Sequence, residues 1–175
     1  METARLRLDP IGLCHLDGFH RIWTNPDSTR WARKGTLQTI DQTYAWLSGM
    51  LPENRAGSDN YAIFIKDANS DKSTVIGVVG VHRVDPTPEI GYLFHPSAWG
   101  KGYATEAARA FIQHFWKARP DLDTIEAKVD EANSSSRHVL NKCGFVENET
   151  IIGGAERAWL DPQKRNIVVY RLKRA

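Results

Sequence analysis

The amino-acid sequence predicts an α/β fold with a mixed sheet of about seven strands and about four helices. Residues 89–130 show the pattern strand, helix, strand, a crossover unit whose two strands should run parallel. Further strand patterns precede and follow this unit in pairs, and that order of elements is typical of a mixed sheet. With 175 residues, 41% of them hydrophobic, the chain is the size of one domain with a substantial core.

The first strand and the first two helices are predicted from apolar spacing. Residues 4–8 alternate as a strand does, and apolar side chains recur at helical spacing over residues 16–23. Residues 24–35 are rich in turn formers and predict an irregular loop. Thr39 followed by Gln42 matches a capping box, which predicts that a second helix begins there.

Three strands are predicted before the long helix. Residues 61–66 and 75–84 are rich in apolar residues, and the polar residues 67–73 between them predict a hairpin loop. Two prolines interrupt the second of these strands, and residues 89–94, EIGYLF, form the next one.

The second half of the chain predicts two helices and three strands. A helix is expected over residues 103–118, before a proline, and residues 124–130 alternate strictly as a strand. Another helix begins in a run of serines and ends before Gly144, which is placed as a left-handed cap. The last two strands are predicted at residues 147–154 and 166–172.

Charge and cysteine content exclude several classes of protein. The net charge of +2 does not indicate a nucleic-acid or membrane partner. Cys14 and Cys143 are too few for a disulfide framework, and neither lies in a Cys/His cluster with metal spacing. The N-terminus lacks the apolar core of a signal peptide, and the longest apolar run, residues 75–81, is too short to span a bilayer. We therefore expect a cytoplasmic protein without a metal, acting as a monomer or a homodimer.

The junction at residues 99–107, WGKGYATEA, places two glycines directly before a helix. The first amides of a helix lack internal partners and the dipole is positive there, so such a junction can hold a phosphate, and Lys101 can add charge. The P-loop signature requires Ser or Thr after Gly-Lys, but Gly102 follows here. The dinucleotide-binding fingerprint requires Gly or Ala where this chain has Thr105.

The same loop closely resembles the pyrophosphate loop of the GNAT superfamily of N-acetyltransferases, whose pattern is Gln/Arg-x-x-Gly-x-Gly/Ala. Trp99, Gly102 and Ala104 fall on its three defined positions. Trp99 departs from the Gln or Arg of the general pattern, but a Trp at this position resembles the branch that contains the ribosomal-protein N-terminal acetyltransferases. The EIGY of residues 89–92 resembles the central strand of that family. Residues 129–145, VDEANSSSRHVLNKCGF, resemble the Asn-x-x-Ser motif of that branch and a helix ending in Gly-Phe.

This resemblance implies a single acetyltransferase domain over residues 1–175, with a twisted, mostly antiparallel sheet splayed at a central parallel pair. It also implies acetyl-CoA as co-substrate, with the pantetheine arm between the splayed strands and the diphosphate on the glycine loop. The implied cofactor-binding residues are Leu93, Phe94, Trp99, Gly100, Lys101, Gly102, Tyr103, Ala104, Thr105 and Asn133.

The resemblance further implies that a primary amine attacks the thioester directly. The amine must first lose a proton, with a pKa of about 10, and Glu89 is the candidate base, the alternative being a solvated carboxylate at a strand end. Amides near Tyr92 and Leu93 are placed to stabilise the developing oxyanion. Ser136 matches the candidate general acid of the branch, although serine there equally suits helix capping. Cys143 lies on an apolar stripe, which favours packing over a covalent role.

The acceptor, a peptide N-terminus or a small amine, is expected between the loops at residues 24–36 and 153–165. The specificity candidates in these loops are Arg30, Trp31, Arg33, Trp159 and Asp161. The two tryptophans equally suit core packing. Asn166 stands where the branch often has an acidic residue, which leaves the charge preference for the acceptor open. The alternative function is a catalytically silent acyl-CoA sensor or interaction module, and the presence of Glu89 and Ser136 favours the enzyme.

Overall fold

The computed structural model describes residues 1–66 and 74–174. Within them, seven strands form one sheet: β1 Leu6–Pro10, β2 Asp59–Ile65, β3 Gly77–Arg83, β4 Glu89–Phe94, β5 Thr124–Asp130, β6 Val146–Glu156 and β7 Lys164–Lys173. The same residues form five α-helices: α1 Leu16–Trp23, α2 Pro26–Thr29, α3 Ile40–Ser48, α4 Tyr103–Ala118 and α5 Ser134–Lys142. The predicted hairpin loop at residues 67–73 lies outside the described residues.

The sheet has the order β1-β2-β3-β4-β5-β7-β6, and every neighbouring pair is antiparallel except β4 and β5. This parallel pair meets at one position, where Glu89 lies opposite Glu126. The amide of Glu126 donates there to the carbonyl of Pro88 over 2.8 Å. Ladder pairing between the two strands ends at that point, so the predicted sheet with a splayed central parallel pair is confirmed.

Helices pack on both faces of the sheet. Ile125, Ala127 and Val129 of β5 point to one face, where they join a core with the fully buried Phe111 of α4. Leu93 of β4 points to the other face and packs on the cluster that includes residues of α1 and α3. Burying one such side chain contributes about 1.5–3 kcal/mol, so the two apolar layers together fix the positions of β4 and β5.

Most of the predicted elements are confirmed, and the predicted strand boundaries differ from the structure by at most two residues. The Thr39 hydroxyl accepts the Gln42 amide over 3.2 Å, as a capping box requires. Gly144 has a φ of 90°, as a left-handed cap requires. The four-residue helix α2 was not predicted; it begins where the Asn25 side chain accepts the Ser28 amide over 3.0 Å. No helix in the described parts of the chain has the length and apolar character needed to cross a membrane.

Candidate active site

The junction between β4 and α4 has a backbone conformation that favours glycine at two positions. A 3₁₀ turn, Pro96–Ala98, follows β4, and Gly100 and Gly102 then have φ angles of 71° and 77°. Both angles lie in the left-handed region, which glycine adopts without the steric cost of a Cβ. Gly102 is the N-cap of α4 and has no side chain to accept from the first-turn amides. These donors therefore remain available to an anion.

Trp99 and Lys101 fasten the loop to the end of β4. The Trp99 indole N–H donates to the carbonyl of Phe94 over 3.0 Å, although half of the Trp99 surface is exposed. The Lys101 ammonium donates to the carbonyl of Ser97 over 2.9 Å. This hydrogen bond holds the charge of the exposed Lys101 beside the loop.

Arg5, which the sequence did not single out, braces this junction from the start of the chain. Its guanidinium donates to the carbonyl of Lys101 over 2.9 Å and pairs with Glu106 at 2.6 Å. It also lies 4.8 Å from the centre of the Tyr103 ring. The Thr3 hydroxyl donates to the same carboxylate over 2.6 Å. Burial opposes ionisation of Glu106, but the hydrogen bonds from Thr3 and Arg5 outweigh burial and lower its pKa.

Backbone groups of β4 face the gap between β4 and β5. The amide of His95 donates toward β3, to the carbonyl of Ile76 over 3.0 Å, and the hydrogen-bonding direction alternates along a strand. Leu93 therefore turns its amide to β3, and Tyr92 turns its amide to β5. Because the two strands pair only at Glu89, the Tyr92 amide opens on the gap. Of the two amides predicted to stabilise the oxyanion, that of Tyr92 faces the gap, whereas that of Leu93 turns toward β3.

Tyr92 and Ser136 meet on the face that carries α4 and α5. The Tyr92 hydroxyl lies 2.9 Å from Ser136 Oγ and 3.1 Å from the Ser136 carbonyl oxygen. Asn133 is the N-cap of α5, and its Oδ1 accepts the Ser136 amide over 3.1 Å. Asn133 thus supplies the capping expected of this serine-rich run, which leaves the Ser136 hydroxyl to Tyr92. Burial raises the pKa of Tyr92, so its hydroxyl stays protonated and can donate.

Glu89 lies on the opposite face of β4, in a network of ion pairs. Its carboxylate lies 3.4 Å from Arg83 and 3.5 Å from Lys128, and its side chain is 10% exposed. Glu126 contacts the same Arg83 at 3.5 Å and Arg171 at 2.8 Å. A solvated strand-end carboxylate is therefore excluded, and any catalytic role of Glu89 operates from within this network.

Cys143 is a packed thiol. It caps the end of α5, and its Sγ lies 3.8 Å from the carbonyl oxygen of Thr105. Burial raises the pKa of the Cys143 thiol. A thiol that stays protonated is a poor nucleophile, so the structure favours the predicted packing role over a covalent one.

A cleft of about 660 Å³ opens between α2 and the segment that precedes β7. It combines aromatic walls with charged side chains of both signs. Four of the predicted acceptor residues line the cleft: Arg30, Trp31, Trp159 and Asp161. Two charged residues that the sequence did not single out, Asp27 and Arg165, line it as well. The fifth candidate, Arg33, is exposed and does not line the cleft, so the structure does not bring it together with the tryptophans.

Trp159 both anchors a loop and lines the cleft. Its indole N–H donates to the carbonyl of Arg30 over 2.9 Å, and a Cβ placed on Gly35 would lie 2.8 Å from its ring. The residue is nevertheless 44% exposed. Arg165 makes a two-pronged ion pair with the buried Asp130, over 2.8 and 3.0 Å, which neutralises its charge at the wall of the cleft.

A family model for an acetyltransferase (GNAT) domain matches residues 5–146 of the chain. The chain belongs to the GNAT acetyltransferase family. It is 28% identical over 162 residues to the uncharacterized N-acetyltransferase p20 of Bacillus licheniformis, and the alignment covers 90% of this chain and 88% of that relative. As a member of this family, the protein is an N-acetyltransferase of the acyltransferase class.

Two solved structures have the same fold. One is an acetyltransferase from Salmonella typhimurium that modifies the N-terminal serine of a 50S ribosomal subunit protein. Its TM-score is 0.80 at 17% identity, over 99% of this chain and 97% of that chain. The other is a spermidine N-acetyltransferase from Vibrio cholerae in complex with CoA and spermine. Its TM-score is 0.78 at 16% identity, over 98% of this chain and 96% of that chain.

Proposed function

We propose that this GNAT protein transfers the acetyl group of acetyl-CoA to a primary amine, which attacks the thioester directly. The single pairing position of β4 and β5 supports this proposal most strongly. Beyond it, the Tyr92 amide faces a gap that leads toward the start of α4. Strands paired along their length would satisfy their own backbone groups, whereas an open pair requires a polar ligand or water.

The described residues fit the chemistry of acetyl-CoA. The diphosphate is an anion, and the amides from Gly100 to Thr105, at the positive end of the α4 dipole, suit an anion. A Cβ placed on Gly100 would meet no atom within 4 Å, so the loop surface is open there. The pantetheine arm contains amides that suit the backbone of Tyr92 and the side chain of Asn133. When bound, the co-substrate supplies an activated thioester.

The proposed reacting groups are divided between the two faces of the sheet. Glu89 shares a face with the cleft formed by Trp31 and Trp159, whereas Tyr92 and Ser136 project their hydroxyls from the other face. An amine that enters from one face while the thiol leaves on the other suits direct attack. A strand rises about 3.3 Å per residue, so the Cα atoms of Glu89 and Tyr92 are about 10 Å apart. We therefore propose that Glu89 accepts the proton of the amine through water.

The proposed acceptor is the amine of a peptide N-terminus or of a small molecule. The two structural neighbours divide between these classes, since one modifies a protein N-terminus and the other is a spermidine acetyltransferase. Asp27 and Asp161 line an aromatic cleft, and carboxylates and aromatic faces both attract ammonium groups. Asn166 stands at a position that is often acidic in the branch. Its side-chain amide donates to the carboxylate of Glu131 over 2.9 Å, so Glu131 places an acidic group beside this position.

An acceptor panel tests the proposal. The purified protein is incubated with acetyl-CoA and, separately, with short peptides that have free N-termini, polyamines and simple alkylamines, while release of free thiol is followed. We expect amine-dependent thiol release with at least one class, above the rate without amine. Tight binding of acetyl-CoA without thiol release for any amine would contradict the proposal and support a silent acyl-CoA-binding module.

A further inference from the structure

We propose that Lys128 excludes the protonated form of the acceptor from the gap between β4 and β5, so that the acceptor reaches the thioester as a neutral amine. This inference rests on the proposed function and adds a residue to it. In the proposed reaction Glu89 accepts the proton of the amine through water, and Lys128 disfavours the ammonium that still carries this proton. The inference concerns this one proton and leaves the bonds that form and break in the acetyl transfer unchanged.

The ion pair between Lys128 and Glu89 bridges the gap on the face where the amine is proposed to enter. The neighbours of Lys128 in β5, Ala127 and Val129, point to the face of α4, so Lys128 points to the opposite face. Its ammonium lies 3.5 Å from the carboxylate of Glu89, which belongs to β4. Lys128 is two residues past Glu126, the single position at which β5 pairs with β4. The pair therefore spans the two strands where they begin to separate.

The register of the two strands places Lys128 close to the proposed reacting centre. Glu89 lies opposite Glu126, so Gly91 is level with Lys128, and Tyr92 is one residue farther along. One residue is about 3.3 Å along a strand. The amide of Tyr92 is the proposed oxyanion donor, so an amine that attacks there passes the Lys128 ammonium. The Lys128 side chain is 33% exposed and is thus accessible from the entry face.

The network around Glu89 has one positive charge more than it has negative charges. Arg83 of β3 and Lys128 both contact Glu89, whereas Arg83 and Arg171 of β7 both contact Glu126. In the described residues, this network thus joins three cations to two carboxylates. A like charge disfavours the charged form of a titratable group. An ammonium beside Lys128 therefore has a lower pKa than a free alkylamine, whose pKa is about 10.

The acids that attract the acceptor lie in the cleft and not at the gap. Asp27 belongs to α2, which packs on β4, and Asp161 belongs to the segment before β7; both line the cleft, and Lys128 does not. Arg165, which also lines the cleft, is neutralised by Asp130. A protonated amine is thus attracted to the cleft and repelled at the gap, which separates capture of the acceptor from its reaction.

Steady-state kinetics of Lys128→Met test the inference, with an accepted amine at pH 7 and saturating acetyl-CoA. Without the charge of Lys128, the ammonium binds more tightly but does not react. We therefore expect kcat and the KM for the amine to fall together, each about tenfold, the low end of the effect of a neighbouring charge on a pKa. Both differences from the wild type should shrink as the pH rises toward the pKa of the free amine. A purely structural role would instead raise KM or leave it unchanged.

Lys128→Gln, a second neutral substitution, should behave as Lys128→Met does, and Lys128→Arg should restore most of both constants because it keeps the charge. Arg171→Gln is the matched control, since it removes a cation from the same network on β7, where Arg171 contacts Glu126 at 2.8 Å. We expect Arg171→Gln to change both constants much less. The thermal unfolding midpoint of each variant shows that it is folded.

A KM for the amine that rises or stays at the wild-type value in the two neutral variants overturns the inference and leaves the proposed function intact. So does an Arg171→Gln variant that changes both constants as much as Lys128→Met, because the effect would then not depend on a position beside the gap. If the wild-type protein releases no thiol with any amine, the proposed function and the inference are overturned together.

Discussion

Glu89→Gln tests whether Glu89 acts as the base or serves only in the ion-pair network. The substitution keeps the shape of the side chain and removes its charge. A positioned general base contributes about 10²–10⁴-fold to a rate. We therefore expect turnover near pH 7 to fall at least about a hundredfold, which is about 2.7 kcal/mol of barrier at about 1.36 kcal/mol for each factor of ten.

Glu126→Gln is the matched control, because Glu126 contacts the same arginine from the adjacent strand. The two side chains are 10% and 9% exposed, and they lie 3.4 and 3.5 Å from Arg83. The second partner of Glu126, Arg171, lies at 2.8 Å, closer than Lys128 lies to Glu89, at 3.5 Å. Hydrogen bonds to charged groups contribute about 1.5–3 kcal/mol, so Glu126→Gln should destabilise the fold at least as much as Glu89→Gln.

The assay is the initial rate of thiol release with an accepted amine from pH 6 to 10, together with the thermal unfolding midpoint of each variant. We expect a large loss of turnover for Glu89→Gln and a small one for Glu126→Gln. The deficit of Glu89→Gln should narrow toward pH 10, since an alkylamine with a pKa of about 10 then loses its proton unaided. Equal losses in the two variants, or an unchanged rate for Glu89→Gln at pH 7, would show that the network is structural and that another base acts.

Substitutions at three further positions test the glycine junction. Gly102→Val should weaken acetyl-CoA binding about tenfold, because a left-handed φ of 77° costs a side chain about 1–2 kcal/mol and the loop must shift to relieve that strain. Unchanged calorimetric affinity would remove this loop from the cofactor site. Arg5→Gln should raise the KM for acetyl-CoA and leave kcat unchanged, since Arg5 holds the carbonyl of Lys101, and Arg5→Lys should restore part of the affinity. A fall in kcat at constant KM in steady-state kinetics would show that Arg5 does not act by positioning the loop. Glu106→Gln removes a carboxylate whose folded-state pKa is lowered below 4.5, so its contribution to stability is complete above pH 4.5 and disappears as the pH falls through the folded-state value. The difference between wild-type and Glu106→Gln urea midpoints should therefore shrink between pH 7 and pH 3, and a constant difference would disprove the linkage.

Local patterns predicted the elements and the loop of this fold well. The alternation of residues 124–130 and the apolar stripe of residues 103–118 each depend on a few neighbouring positions, and both boundaries are confirmed. The left-handed cap at Gly144, with a φ of 90°, follows from the same kind of local reasoning, because glycine adopts such an angle freely.

Contacts between distant segments could not be predicted in this way. Arg5 and Glu106 are 101 positions apart, and neither stands in a pattern that distinguishes it from an ordinary surface charge. The sequence placed Glu89 at the start of a strand, but only the packed sheet shows that Arg83 and Lys128 enclose it. These pairings depend on strand order and on the alternation of strand faces, which a local pattern does not contain.

The most direct test of the account is a crystal structure of the protein grown with saturating CoA. The account predicts the diphosphate within hydrogen-bonding distance of amides between Gly100 and Thr105, and the pantetheine arm between β4 and β5 beside the Tyr92 amide. A structure in which the start of α4 binds no phosphate, or in which β4 and β5 pair along their whole length, would contradict it.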